Sequence, residues 1–211
     1  MKISEIYGAI QGETSYAGEP CTIIRLAGCN LECSWCDTPQ REVVKEELSV
    51  EEILDRCRRI NLPLVLLTGG EPLLQKESLE LMRKLVEQGY TALLETNGSL
   101  PLEGIPEPVV IIMDVKCPGS GMHGKMRLEN LQKLRPWDEV KFVIADRRDF
   151  DYALGVVKGH RLTGCVKVLF SPEFDHLNAG DLGDWILETH LPIRLNLQIH
   201  KYIWGQNAKE R

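Results

Sequence analysis

The 211-residue chain carries 25 Lys and Arg against 31 Asp and Glu, a formal net charge of -6, and 43% of it is hydrophobic. With no basic block this balance argues against phosphate-driven nucleic-acid binding, and the apolar content suffices for one substantial core, so a single domain over 1–211 is expected. Met1 to Ile6 lacks the apolar core of a signal peptide, no stretch has the length of a bilayer span, and seven cysteines, an odd number with three clustered, point to a reducing cytoplasm and not a disulfide framework.

Cys21 to Leu26 reads as an apolar strand in which Arg25 alternates with Ile24 and Leu26 and so faces away from both. The loop that follows, GCNLECSWCDT, holds Cys29, Cys33 and Cys36 as C-x3-C-x2-C, with Trp35 directly before the last cysteine. Three thiolates on one short loop hold three irons of a [4Fe-4S] cluster and leave the fourth iron open to a small molecule. The alternative is a zinc site, which needs a fourth ligand such as Cys21 or a histidine; no second cysteine pair at zinc spacing follows.

Ser49 and Glu52 form a capping box for a helix whose apolar face is Ile53, Leu54, Cys57 and Ile60. The apolar run from Pro63 to Leu67 predicts a buried strand ending in Thr68-Gly69-Gly70-Glu71-Pro72, where two glycines permit close backbone approach to a ligand. A helix burying Met82, Leu85 and Val86 stops at Gly89. Further strands are predicted at 91–95, 109–113, 140–144, 166–170 and 193–197, with helices near 128–134, 150–157 and 182–190. Buried strands alternating with helices call for an α/β fold with a parallel sheet.

Ligands of such sheets gather at the carboxyl ends of the strands. Those ends are polar here: Glu95-Thr96-Asn97-Gly98, Asp114-Val115-Lys116 and Ser171-Pro172-Glu173. Each alone is ordinary turn chemistry; together with the Gly-Gly turn and the cysteine loop they converge on one rim.

The three-cysteine spacing with the downstream Gly-Gly-Glu-Pro turn resembles the radical S-adenosylmethionine (SAM) superfamily. Ile10-Gln11-Gly12-Glu13, Arg25, Cys36-Asp37-Thr38, Thr68 to Pro72, Glu95 to Ser99 and Gln198-Ile199-His200-Lys201-Tyr202 resemble its 7-carboxy-7-deazaguanine synthase family over nearly the whole chain. The resemblance implies an incomplete (βα) barrel of the radical SAM type with a mostly parallel sheet. It implies conversion of 6-carboxy-5,6,7,8-tetrahydropterin to 7-carboxy-7-deazaguanine with loss of ammonia, begun by reductive cleavage of SAM and hydrogen abstraction at substrate C6. The enzyme class would be a carbon-nitrogen lyase.

Carried over residue by residue, the resemblance places the cluster on Cys29, Cys33 and Cys36. SAM would meet Trp35, Asp37, Gly70, Asp114, Val115, Lys116, Ser171, Pro172 and Glu173. The pterin would meet Ile10, Gln11, Gly12, Glu13, Arg25 and Thr68, with Arg25 as a bidentate clamp on its carboxylate. Thr38 would help place Mg2+, and His200 is a candidate proton shuttle. The family also implies a homodimer and a flavodoxin or ferredoxin as electron donor. Cys21, Cys57 and Cys165 read as small buried residues, whereas Cys117 follows Lys116 on the rim. Two alternatives stay open at this stage: an activating enzyme for a glycyl-radical protein, and a non-catalytic metal-binding module.

Overall fold

Side chains alternate between two environments along every central strand, and that alternation decides the architecture. The computed structural model describes residues 1–38 and 41–205. Pro39, Gln40 and the tail from 206 to 211 lie outside the described residues. The strands are β1 (Lys2–Ile10), β2 (Pro20–Leu26), β3 (Glu46–Glu47), β4 (Leu64–Gly69), β5 (Thr91–Thr96), β6 (Val110–Asp114), β7 (Glu139–Ile144), β8 (Lys167–Pro172) and β9 (Ile193–Leu195). They form one sheet in the order β3-β1-β2-β4-β5-β6-β7-β8-β9, open and not closed. From β2 to β9 every pairing is parallel, while β1 runs antiparallel to both β2 and β3.

The helices are α1 (Val50–Ile60), α2 (Glu77–Glu87), α3 (Arg147–Gly159), α4 (Ala179–Glu188) and α5 (Ile199–Trp204). The expected capping box starts α1: Ser49 accepts from the Glu52 N–H while the Glu52 carboxylate accepts from the Ser49 N–H. Asp146 and Asn178 cap α3 and α4 in the same position. These crossovers cover the outer face of the sheet. Ile24, Leu26, Val65, Leu67, Ala92 and Leu94 pack with the buried face of α1 and α2, and Ile111, Met113, Val140, Phe142, Val168 and Phe170 pack with α3 and α4. Phe142 and Phe150 each meet Phe170 edge to face, with ring centres 5.4 and 5.6 Å apart. Full burial of each such ring contributes roughly 1.5 to 3 kcal/mol.

The other face of the sheet is concave and layered. Cys21, Ile23, Leu64, Leu66, Leu93, Val110 and Ile112 form an apolar floor. One strand step above them stand Arg25, Thr68, Glu95 and Asp114, at the carboxyl ends of β2, β4, β5 and β6. The same alternation puts Lys141 and Val143 of β7 on this side.

The structure departs from the sequence pattern at several points, among them Cys117, which is buried in the core. The segment near 128–134 is a 3-10 helix over Leu128–Lys133 and not an α-helix. β1 and α5 are present where the pattern marks neither. Cys165 is exposed and not buried. No helix among the described residues is long and apolar enough to cross a membrane.

Candidate active site

The cysteine loop leaves β2 and is fastened on three sides. The Gly28 N–H donates to the Arg41 carbonyl at 2.7 Å, the Ser34 hydroxyl donates to the Gly119 carbonyl at 2.9 Å, and Asn97 Nδ2 donates to Asn30 Oδ1 at 3.1 Å. The tightest junction is with the Gly-Gly turn. The Glu71 N–H donates to the Gly28 carbonyl at 2.8 Å and the Gly70 N–H to the Leu26 carbonyl at 3.1 Å. A Cβ on Gly70 would overlap with the Gly28 carbonyl, and one on Gly69 with the Leu26 backbone. Glycine at these positions therefore serves loop against loop, as well as leaving room for a ligand.

Glu71 locks this junction to the next strand. Its carboxylate, wholly buried, accepts from the Leu73 N–H at 3.0 Å, the Thr96 hydroxyl at 2.8 Å and the Asn97 N–H at 2.7 Å. Burial raises its pKa against these three donors. A buried carboxylate saturated in this way is a strut, and the side chains on either side of it are the ones free to meet ligands.

Cys29, Cys33 and Cys36 all border one cavity of about 460 Å³. Burial pushes the Cys29 and Cys33 thiols up, which a bound metal reverses by taking the thiolate. Arg41 lies beside Cys36, whose thiolate raises the guanidinium pKa. Among the described residues no three Cys, His, Asp or Glu side chains gather closely enough for a single metal ion. A cluster makes no such demand, because each thiolate takes a different iron, so the three-cysteine donor set fits [4Fe-4S]. Cys21, the cysteine that could have served as a fourth zinc ligand, is fully buried in the floor of the barrel.

Next to the cluster loop, Lys116 Nζ lies 2.9 Å from Asp114 Oδ2. Asp114 Oδ1 is buried without a hydrogen-bond partner among the described residues. Trp35, Asp37 and Gly70 line the same cavity, as do Ser171, Pro172 and Glu173. The Ser171 hydroxyl accepts from Asn196 Nδ2 at 2.8 Å. Val115 is the exception: its side chain is fully buried in the core, and its N–H is taken by the Lys141 carbonyl at 2.8 Å. Position 115 can offer a ligand only its carbonyl.

Ile10, Gln11, Gly12, Glu13, Arg25 and Thr68 line this cavity as well. Arg25 faces inward, as the alternation implied, and its Nε donates to Glu5 Oε2 at 3.1 Å. Thr38 lines the cavity and donates to Asp37 Oδ1 at 3.2 Å, while Asp37 Oδ2 accepts from Gln198 Nε2 at 3.2 Å. His200, on α5, closes the wall beside Gly12.

The centre of the cavity is ionic. Lys141 Nζ lies 2.8 Å from Glu13 Oε2, 2.6 Å from Glu95 Oε1 and 3.5 Å from Asp114 Oδ2. Thr68 donates to the other Glu95 oxygen at 3.0 Å. Burial opposes the charge on Glu13, but the Lys141 ammonium outweighs it and holds the carboxyl below the usual range; Asp114 is held down in the same way by Lys116 and Lys141. Sequence reasoning gave no specific contact to Lys141, Glu95 or Gln198. The available signal was a lysine inside an otherwise apolar strand, in step with the rim positions.

A radical SAM superfamily profile matches residues 23–114, which contain the cysteine loop and the Gly-Gly turn. A 7-carboxy-7-deazaguanine synthase of Koribacter versatilis is 44% identical, the match covering 99% of each chain. The chain belongs to the 7-carboxy-7-deazaguanine synthase family. A second member, from Chlorobaculum tepidum, is 39% identical over 99% of this chain and 96% of its own. The crystal structure of QueE from Escherichia coli superposes with a TM-score of 0.75 over 93% of each chain at 22% identity, a likeness of fold. Family membership accounts for the incomplete, mostly parallel barrel and implies a [4Fe-4S] cluster and SAM as cofactors.

Proposed function

We infer that the chain is a radical SAM carbon-nitrogen lyase that converts 6-carboxy-5,6,7,8-tetrahydropterin to 7-carboxy-7-deazaguanine with release of ammonia, a step of 7-deazapurine (queuosine) biosynthesis. The observation that carries the reading is the continuity of one cavity from the cysteine loop, across Gly70 and Asp114, to Glu13, Arg25 and Thr68. Family membership sets aside the glycyl-radical activator and the non-catalytic metal module.

A [4Fe-4S] cluster and SAM supply the one-electron chemistry when bound. Cys29, Cys33 and Cys36 hold the cluster; Gly70, Trp35, Asp37, Asp114, Lys116 and the Ser171 to Glu173 turn hold SAM. Gln11 and Glu13 read the donor edge of the pterin, Thr68 adds a hydroxyl, and Arg25 clamps the carboxylate with its planar fork. Thr38 would contribute one oxygen toward a Mg2+ ion, since this ion takes few protein ligands and keeps water and substrate oxygens for the rest. His200 moves a proton at the pterin edge. The apolar floor beneath the rim keeps water from the reacting carbon. A flavodoxin or ferredoxin supplies the electron, and the protein works as a homodimer in the cytoplasm.

Anaerobic reconstitution with iron, sulfide and reductant, followed by an assay of SAM cleavage with and without the carboxypterin, tests the reading. One ammonia released per deazapurine formed supports it. Cleavage of SAM with no pterin consumed would remove the substrate assignment, and zinc without iron or sulfide would remove the radical chemistry.

A further inference from the structure

Lys141 lies on the wall of the cavity. Its Nζ faces three carboxylates borne by three separate elements: Glu13 at 2.8 Å on the β1–β2 connection, Glu95 at 2.6 Å at the end of β5, and Asp114 at 3.5 Å at the end of β6. The side chain is 6% exposed, and that small opening is to the cavity. Through Glu95 it reaches Thr68, and through Asp114 it reaches Lys116.

A buried ammonium among three carboxylates has a bland use as a structural rivet, but the rivets of the β1–β2 connection lie elsewhere. The Thr14 N–H donates to Asn196 Oδ1 at 2.8 Å, and the Ser15 N–H donates to the Glu139 carboxylate, at 3.3 Å to Oε1 and 3.2 Å to Oε2. Those bonds fix the backbone. Lys141 meets the tips of these carboxylates, and Glu13 and Glu95 both line the cavity. Without a cation among them, three carboxylates at such separations repel, and one takes up a proton or turns away.

We propose that Lys141 is a positioning residue for the pterin, holding Glu13 and Glu95 charged and aimed so that they accept hydrogen bonds from the donor edge of the substrate. The proposal rests on the function inferred above. Lysine suits the task because its three donors radiate from one point, whereas the planar fork of arginine would reach two of the three carboxylates in a fixed plane.

Lys141→Met and Lys141→Arg, each reconstituted as holoenzyme, test it by equilibrium binding of SAM and by KM and kcat for the carboxypterin. Lys141→Met is expected to raise the pterin KM about tenfold or more, with kcat falling less than KM rises and SAM affinity weakening by under about threefold. Lys141→Arg, which restores the charge, is expected to recover part of that loss. If Lys141→Met fails to fold, Lys141→Arg decides alone: a raised pterin KM with SAM affinity held supports the role. Equal loss for both ligands, a loss in kcat alone, or wild-type behaviour overturns it. Wild-type protein that turns over no carboxypterin would overturn the functional reading and this role together, whereas an active wild type with no split in either variant would overturn the Lys141 role only.

Discussion

Gly12 lies flat against the imidazole of His200: a Cβ at position 12 would overlap with the ring at Nδ1. The Gly12 carbonyl also accepts from the Ile199 N–H at 2.9 Å, so this glycine seats the start of α5 on the β1–β2 connection. Burial lowers the pKa of His200 and favours its neutral form near pH 7. Gly12→Ala should expel the ring and lower kcat/KM for the carboxypterin about tenfold or more, because the wall of the cavity moves. Iron content after reconstitution should be unchanged; a variant with wild-type kinetics would remove the seating role.

Each of Cys29→Ala, Cys33→Ala and Cys36→Ala should abolish SAM cleavage, since two thiolates do not retain a cluster with one open iron. Cys57→Ala should leave iron and cleavage intact. Cys57 is fully buried on α1, and burial pushes its thiol up to about 11, which marks it as an inert packing residue. Iron and sulfide determination separates the two outcomes.

Arg25→Lys should weaken carboxypterin binding far more than SAM binding. Lysine keeps the charge and loses the fork, a deficit on the order of 1 to 3 kcal/mol for a bidentate contact. Parallel titrations with both ligands measure it, and equal losses would mean a folding defect.

Glu71→Ala should cost on the order of 3 kcal/mol of stability, because it leaves three donors without an acceptor and opens a void. Those donors are the Leu73 and Asn97 N–H groups and the Thr96 hydroxyl. Denaturant unfolding of the metal-free protein reports the loss directly. A midpoint within error of wild type would show that the Gly-Gly turn is held by other contacts.

Thr38→Ala should keep the cluster and SAM cleavage while losing most of the magnesium stimulation of product formation. Product yield is compared with and without added Mg2+ after chelation. Undiminished stimulation in the variant, or a wild type indifferent to magnesium, would withdraw the metal role of Thr38.

What could be read from the sequence follows from how each element is buried. β4 to β8 lie in the middle of a parallel sheet, and β4, β5, β6 and β8 each appear as a short apolar run with a polar end, whereas β7 carries Lys141 within it. β1 is different: it mixes Lys2, Ser4 and Glu5 with Ile3 and Ile6, and its outer edge pairs only at Lys2 and Ile3. A strand paired on one side carries too weak a pattern to stand out. α5 escaped because it is six residues long with Tyr202 and Ile203 exposed, and its place depends on Gly12, far away in sequence. The motif residues of the site were legible, since core packing alone seldom demands glycines and cysteines at fixed spacing. Lys141 was not, because a lone strand lysine acquires meaning only when Glu13, Glu95 and Asp114 are brought around it. Val115 shows the converse error: a neighbour of two site residues points the other way.

The layered interior also separates two kinds of change that evolution can make. Along a strand, same-facing side chains recur about every 6.6 Å, so the polar tier is a single residue deep above the floor of Ile23, Leu66, Leu93 and Ile112. Rim side chains such as Arg25, Thr68 and Glu95 point away from the opposite face, where Ile24, Leu67 and Leu94 support the helices. New substrates are therefore reachable through a handful of substitutions in this tier, provided the ion pairs of Arg25 with Glu5 and of Glu95 with Lys141 are kept balanced, while the cysteine loop and its glycine partner stay fixed.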